Sequence, residues 1–142
     1  GNGWMTLPES PFQIDISASL SLSLHEAASR QVDAAIDALQ AGDYDVALTL
    51  AGAAEGMIER TGHHLFGWLK QHPKAVQRFD KKEWISILNT DRDWLKHGGK
   101  PAMQICCVDA AFMIARAMSK LEEWTPKMVA FKICLLAYLD SI

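Results

Sequence analysis

The chain has 142 residues, 49% of them apolar and 22% charged, with a formal net charge of −3. That is the size and composition of one globular domain with its own core, and it excludes a disordered segment. No overall charge excess marks a nucleic-acid or membrane binder, and no apolar run reaches the length a bilayer span needs, so no membrane partner is expected.

The charge is unevenly placed. Residues 60–100 hold nine Lys or Arg against four Asp or Glu, a local +5 that leaves −8 for the remainder, and four of the five histidines lie in the same window. Cys106, Cys107 and Cys134 make an odd count with a vicinal pair in an apolar stretch. This is no disulfide framework, and with no leader pattern at the start it points to a reducing, cytoplasmic location. The vicinal pair is expected partly in the core as two small hydrophobes.

Residues 1–20 read as an extended lead-in and residues 21–142 as the domain proper. Within "PFQIDISASLSLSL", Pro11 to Leu24, apolar and polar residues alternate roughly. A single short strand has no partner here, so an irregular segment packed on the helices is expected. From about Ser21 the period becomes helical, with Leu24, Ala28, Val32, Ala35, Ile36 and Leu39 on one face. Gly42 ends that helix and Asp43 is placed to cap the next, whose apolar stripe is Tyr44, Ala47, Leu48, Ala51, Ala54, Met57 and Ile58.

The middle of this second helix, "AGAAEG" (Ala51 to Gly56), is unusually small. A glycine inside a helix costs roughly 1 kcal/mol, so two of them four apart predict another helix crossing closely, with a ligand approaching the backbone as the alternative. A short apolar helix around Leu65 to Leu69 stops at His72-Pro73. A fourth runs from Lys81 or Lys82 to about His97, with Trp84, Ile87, Leu88 and Leu95 inward, and stops at Gly98-Gly99. Pro101 opens a fifth from Ala102 to about Trp124, and Thr125-Pro126 begin a sixth, buried helix through Leu139. The expected fold is all-α, a single-domain bundle of five to six helices.

The stretch "DRDWLKHGG" (Asp91 to Gly99) carries the chemistry. Five residues turn a helix through about 500°, so Arg92 and His97 do not share a face of a continuous helix. They approach only because the helix ends and because arginine is long. Asp93 and His97, four apart, do share a face, and the carboxylate is placed to orient the imidazole. An imidazole, an orienting carboxylate and a permanently charged guanidinium can attack a phosphodiester, one group moving the 2′-OH proton and arginine stabilising charge on the phosphoryl oxygens. The plainer alternative pairs Arg92 with Asp91 or Glu83 on a solvated face and leaves His97 to cap carbonyls. No metal is expected, since His63-His64, His72, His97 and Cys106-Cys107 match no zinc-ribbon, finger or HExxH spacing. No Gly-rich phosphate loop is present, and no cofactor is expected.

"RDWLKH" resembles the R-[N/D/H]-x-x-x-H signature of the HEPN superfamily, with Arg92, Asp93 and His97 at its three marked positions. "GDYDVALTLAGAAEGMI" is similar to the second helix of HEPN-like bundles, notably of a bacterial branch with an A-x-T-L-A-G-A-A-E segment followed later by "LKH", here Leu95 to His97. The resemblance spans about Ala27 to Leu121. It implies a helical bundle that often forms a homodimer with two R-x4-6-H motifs beside one cleft, acting as a metal-independent ribonuclease or, where activity is lost, binding a nucleotide, RNA or a protein partner. The aromatic that often follows the family's histidine is replaced here by Gly98-Gly99-Lys100.

Three readings follow. The first is a metal-independent endoribonuclease with Arg92, Asp93 and His97 as catalytic residues and Lys96, Lys100, His63 and His64 as substrate-binding residues. The second is an inactive HEPN-like module that binds RNA, a nucleotide or a protein in the same cleft. The third is a structural protein whose apolar last helix pairs with another chain.

Overall fold

The computed structural model describes residues 4–5, 11–59 and 81–141. Its described elements are a two-strand ribbon and five helices: β1 (Trp4–Met5), β2 (Ile14–Asp15), α1 (Leu24–Gln40), α2 (Tyr44–Met57), α3 (Lys81–His97), α4 (Cys107–Ser119) and α5 (Pro126–Ser141). The all-α expectation holds. The helix anticipated around Leu65 to Leu69, and His63-His64 beside it, lie outside the described residues.

Local signals set most of the helix ends. Ser23 caps α1 in a full capping box, its hydroxyl accepting from the Glu26 N–H while the Glu26 carboxylate accepts from the Ser23 N–H. Asp43 holds the cap position of α2 as anticipated, but its side chain makes no capping bond. α3 stops at His97 because Gly98 and Gly99 take φ of 73° and 104°, a left-handed backbone that glycine adopts without a Cβ penalty. Thr125 caps α5, accepting from the Met128 N–H at 3.2 Å and donating to Asp33 Oδ1 of α1 at 2.7 Å.

Several expectations need correction. The lead-in does contain a strand with a partner: Ile14–Asp15 pairs antiparallel with Trp4–Met5. The apolar side chains of the arm, Phe12, Ile14, Ile16 and Leu20, are exposed rather than packed on the helices. α4 is shorter than its apolar pattern suggested. Pro101 permits a helix start without requiring one, and of residues 102–106 only Met103 and Ile105 are even partly buried. The Trp94 indole N–H instead ties the turn back by donating to the Lys100 carbonyl at 2.9 Å. At its other end α4 stops at Ser119, where the Trp124 indole donates to the Met118 carbonyl. Glu122-Glu123 would sit badly on the negative end of the helix dipole.

Packing follows from α4, which touches all four other described helices and is buried at every position from Ala110 to Ala115. Phe112, Met113, Ile114 and Met118 fill the centre against Val32 and Ala35 of α1, Leu48 and Ala51 of α2, Leu88 of α3 and Met128 of α5. The last helix is not buried all round. Only the row Met128, Phe131, Leu135 and Leu139 faces the core. The vicinal cysteines, expected partly in the core, are exposed at the start of α4, and Cys134 is exposed as well.

Candidate functional site: a buried ion cluster beside a basic cleft

Glu55 is the residue around which the site is built. It falls on the inward face of α2, one position after Ala54 and four after Ala51, and its side chain is 6% exposed. Three cations from other segments converge on it. Arg92 Nη1 of α3 donates to Oε2 at 2.9 Å, while Arg116 Nε of α4 and Lys120 Nζ just beyond α4 reach Oε1 at 3.2 and 2.9 Å. Lys120 also donates to the Glu55 carbonyl at 2.9 Å, one of the carbonyls the last turn of α2 leaves without a helical partner. Asn89 Oδ1 accepts from Arg92 Nη2 and Arg116 Nη1, each at 3.1 Å, and so spaces the two guanidinium groups.

Burial alone pushes the Glu55 carboxyl up. The Lys120 hydrogen bond and the charges of Arg116, Lys120 and Arg92 outweigh it, so the net displacement is downward and the group is a carboxylate. One buried negative charge thus meets three positive ones, and the local balance is +2.

Gly52 makes the Arg92–Glu55 bond sterically possible. A Cβ at position 52 would lie 2.9 Å from Arg92 Cδ and 3.2 Å from Cγ, so the arginine stem crosses α2 directly over the bare backbone. The expected close approach at "AGAAEG" is therefore made at Gly52 by a side chain. Gly56 differs, because no atom lies within 4 Å of a Cβ built there. Gly52→Val is expected to cost about 1–3 kcal/mol through overpacking and to release Arg92 from Glu55. Urea denaturation checks the first effect. A crystal structure of the variant with the 2.9 Å contact intact would refute the second.

Beside the cluster, the seam between α2 and α3 opens a cavity of about 580 Å³, with Thr49, Ala53 and Gly56 on one wall and Arg92, Lys96 and His97 on the other. A second cavity, of about 570 Å³, lies past the end of α3 and takes in Trp94, Gly98, Gly99, Lys100 and Met103. Asp93 and His97 border both, forming the ridge between them.

The structure therefore gathers Arg92, Asp93, Lys96 and His97 on one cavity and leaves Lys100 on the neighbouring one. Asp93 and His97 are both exposed, and no hydrogen bond joins them among the described residues. Arg92 pairs with Glu55 and Asn89 rather than with Asp91. Among the described residues no three His, Cys, Asp or Glu side chains are grouped to hold a metal ion.

The sequence reading missed Glu55, Asn89, Arg116 and Lys120. Its available signal was a charge at a core position, Glu55 on the stripe of α2 and Arg116 four after Phe112 on the central, most buried helix. It also missed a second polar contact, between Asp91 of α3 and Asp109 in the first turn of α4. Burial, a hydrogen bond with Asp109 and the Asp109 charge push the Asp91 carboxyl up to about 6. Burial raises Asp109 too, against the hydrogen bonds from Asp91 and the Cys106 N–H. Ionised, Asp91 leaves its buried Oδ2 without a donor; protonated, the carboxyl is a donor to Asp109.

Compared with known proteins, the chain matches no family model, no curated protein and no solved structure. What the fold and site define is a class: an all-α bundle whose buried Glu–Arg–Arg–Lys cluster backs a cleft lined by cations.

Proposed function

We propose that the protein is a HEPN-like module whose α2–α3 cleft binds the phosphate of RNA or a nucleotide through Arg92, Lys96 and His97, without turnover. The carrying observation is that one cavity holds all three of these side chains while Glu55 and Asn89 fix the Arg92 guanidinium. Arginine presents five N–H donors. Two are spent on the cluster, and the side chain is 31% exposed and lines the cleft. A guanidinium held this way is a preset electrostatic post that keeps its position when an anion arrives, which lowers the ordering cost of binding. A second reading, a metal-independent endoribonuclease, is favoured by the placement of Arg92 and His97 on the same cavity. A homodimer sharing two such clefts is the arrangement the family resemblance implies.

Fluorescence anisotropy with a labelled single-stranded RNA at low salt tests the binding reading. Wild type is expected to bind, with affinity falling as salt rises. Arg92→Ala is expected to weaken binding at least about tenfold, the loss of roughly one charge-assisted contact. Gly56→Leu is expected to do the same with all charges in place, because Gly56 lines the cleft and a Cβ there meets no atom within 4 Å. An RNA affinity indifferent to both substitutions, or none at low salt, defeats the proposal. Cleavage in EDTA that leaves 2′,3′-cyclic phosphate ends and disappears in His97→Ala would establish the second reading instead.

A further inference from the structure

The cavity past the end of α3, about 570 Å³, has the size of sites that hold small organic ligands, roughly 300–1,000 Å³. Its wall differs in kind from that of the α2–α3 cleft. Trp94 and Met103 line it, both half-buried. The Trp94 indole N–H is spent on the Lys100 carbonyl at 2.9 Å, so the ring is fixed in place and offers the cavity its carbon surface alone. Gly98 and Gly99 line the same space as bare backbone. Their left-handed φ of 73° and 104° disfavours any side chain there, and a Cβ built at either meets no atom within 4 Å. A fixed aromatic, a thioether and an unobstructed glycine turn are surroundings against which a flat ring stacks.

The polar groups decide which ring. Thr90 donates its hydroxyl proton to the Ser86 carbonyl at 2.8 Å, which leaves it an acceptor towards the cavity it lines. The Asp93 carboxylate only accepts. A ligand edge rich in N–H donors is therefore favoured, and uracil, with two carbonyls and a single N–H, matches poorly. The Asp93 charge also sorts the two cavities. In the α2–α3 cleft Arg92 and Lys96 outnumber it, whereas past the helix end Lys100 only balances it. Phosphate belongs in the first cavity and an uncharged ring in the second.

We infer that the second cavity seats one unpaired nucleobase bearing an exocyclic amino group, with the phosphate of the same nucleotide held across the Asp93–His97 ridge in the α2–α3 cleft. The inference rests on the phosphate reading of that cleft and adds to it a base subsite and a base preference. Continuity supplies the link, because Asp93 and His97 border both cavities and a ligand filling both lies across their side chains. A base inside a duplex is paired and stacked, so the fit is to a single strand or a free nucleotide.

Fluorescence anisotropy at low salt with three labelled RNA strands of one length tests this: oligocytidine, oligouridine and an abasic strand. Cytosine and uracil are rings of one size that differ where an amino group replaces a carbonyl. Wild type is expected to bind oligocytidine at least about fivefold more tightly than either of the others. Asp93→Asn, at an exposed position, is expected to erase the preference over oligouridine, since an amide both donates and accepts. Trp94→Leu, with its fold checked by circular dichroism, is expected to erase the preference over the abasic strand. Arg92→Ala is expected to weaken all three alike, because phosphate contacts carry no base information. Equal binding of the three strands by wild type overturns the base subsite and leaves the phosphate reading standing, whereas no binding of any strand ends both. A cytidine preference that survives in both Asp93→Asn and Trp94→Leu overturns the subsite too. Cytidine monophosphate separates the two sources of the ligand: displacement of labelled oligocytidine at equal nucleotide concentration marks a free nucleotide, and failure to displace it marks a strand.

Discussion

Replacing Glu55 with alanine is expected to destabilise the fold by about 3–5 kcal/mol, the range for removing one partner from a buried ion cluster. The cost comes less from the lost attraction than from what remains. Arg116 is already held below the usual guanidinium range by burial, and the Arg92 charge depresses it further; Glu55 is what offsets them. Without Glu55, two guanidinium groups stay on one Asn89 oxygen with no anion between them, and Lys120 keeps only a carbonyl. Glu55→Gln conserves volume and one acceptor, so its loss should be smaller than that of alanine yet clearly measurable.

Urea denaturation of wild type and both variants reads these differences. A loss under about 1 kcal/mol for Glu55→Ala, the value for exposed pairs, would mean that the cations reach water when the carboxylate is gone. Acid should mimic the substitution in part. The folded-state pKa of Glu55 lies below its ordinary 4.5, so its contribution is complete above that value and is lost as pH falls through the depressed one.

Asp91→Asn is expected to stabilise the protein near pH 7.5 by about 2 kcal/mol, with little effect at pH 4. The folded chain keeps a proton on Asp91 up to about pH 6, while the ordinary aspartate value is 3.8. Between those values the folded state binds more protons than the unfolded one, so stability falls as pH rises through the window. Above it, two carboxylates face each other across the α3–α4 contact and Oδ2 of Asp91 is buried without a donor. Asparagine supplies an N–H for Asp109 and carries no charge.

A shift of one pKa unit corresponds to about 1.4 kcal/mol, and partial solvent screening brings a two-unit displacement to the figure given. Thermal melts of wild type and Asp91→Asn from pH 4 to 8 should run together at the acid end, separate as pH rises toward about 6, and stay apart by a constant margin above it. A variant less stable than wild type at pH 7.5 would show that Asp91 serves as a carboxylate. With Glu55 demanding a pH above its depressed value and Asp91 one below about 6, wild-type stability should peak in between.

The cleft was half legible in the sequence. Arg92, Asp93, Lys96 and His97 sit on one short segment that ends at two glycines, and helical spacing alone sets their relative heights and the termination of α3. Glu55 lies within a run of small residues, where no local signal marks it as an ion-pairing site. A charge on an apolar stripe acquires its meaning only from its partners, and these come from α3, from α4 and from the residue that follows α4, up to 65 positions away. Gly52 and Gly56 are the same residue type on the same helix, four apart, and no local rule separates them. One lies under the Arg92 stem, and the other lines open space.

By itself the sequence determined the helices and most of their ends, because capping side chains, glycine stops and 3.6-residue periodicity act within a few residues. It did not determine which row of α5 faces the core, because that helix is apolar on nearly every side. Tertiary structure decided where α4 begins, since the turn anchored by Trp94 overrides the helix start that Pro101 allows, and it exposed the cysteines that the apolar pattern had assigned to the core. It decided above all that Arg92 is spoken for. Whether a guanidinium is a free catalytic group or a fixed post depends on the anions packed around it, and packing brings those from parts of the chain that no local spacing connects.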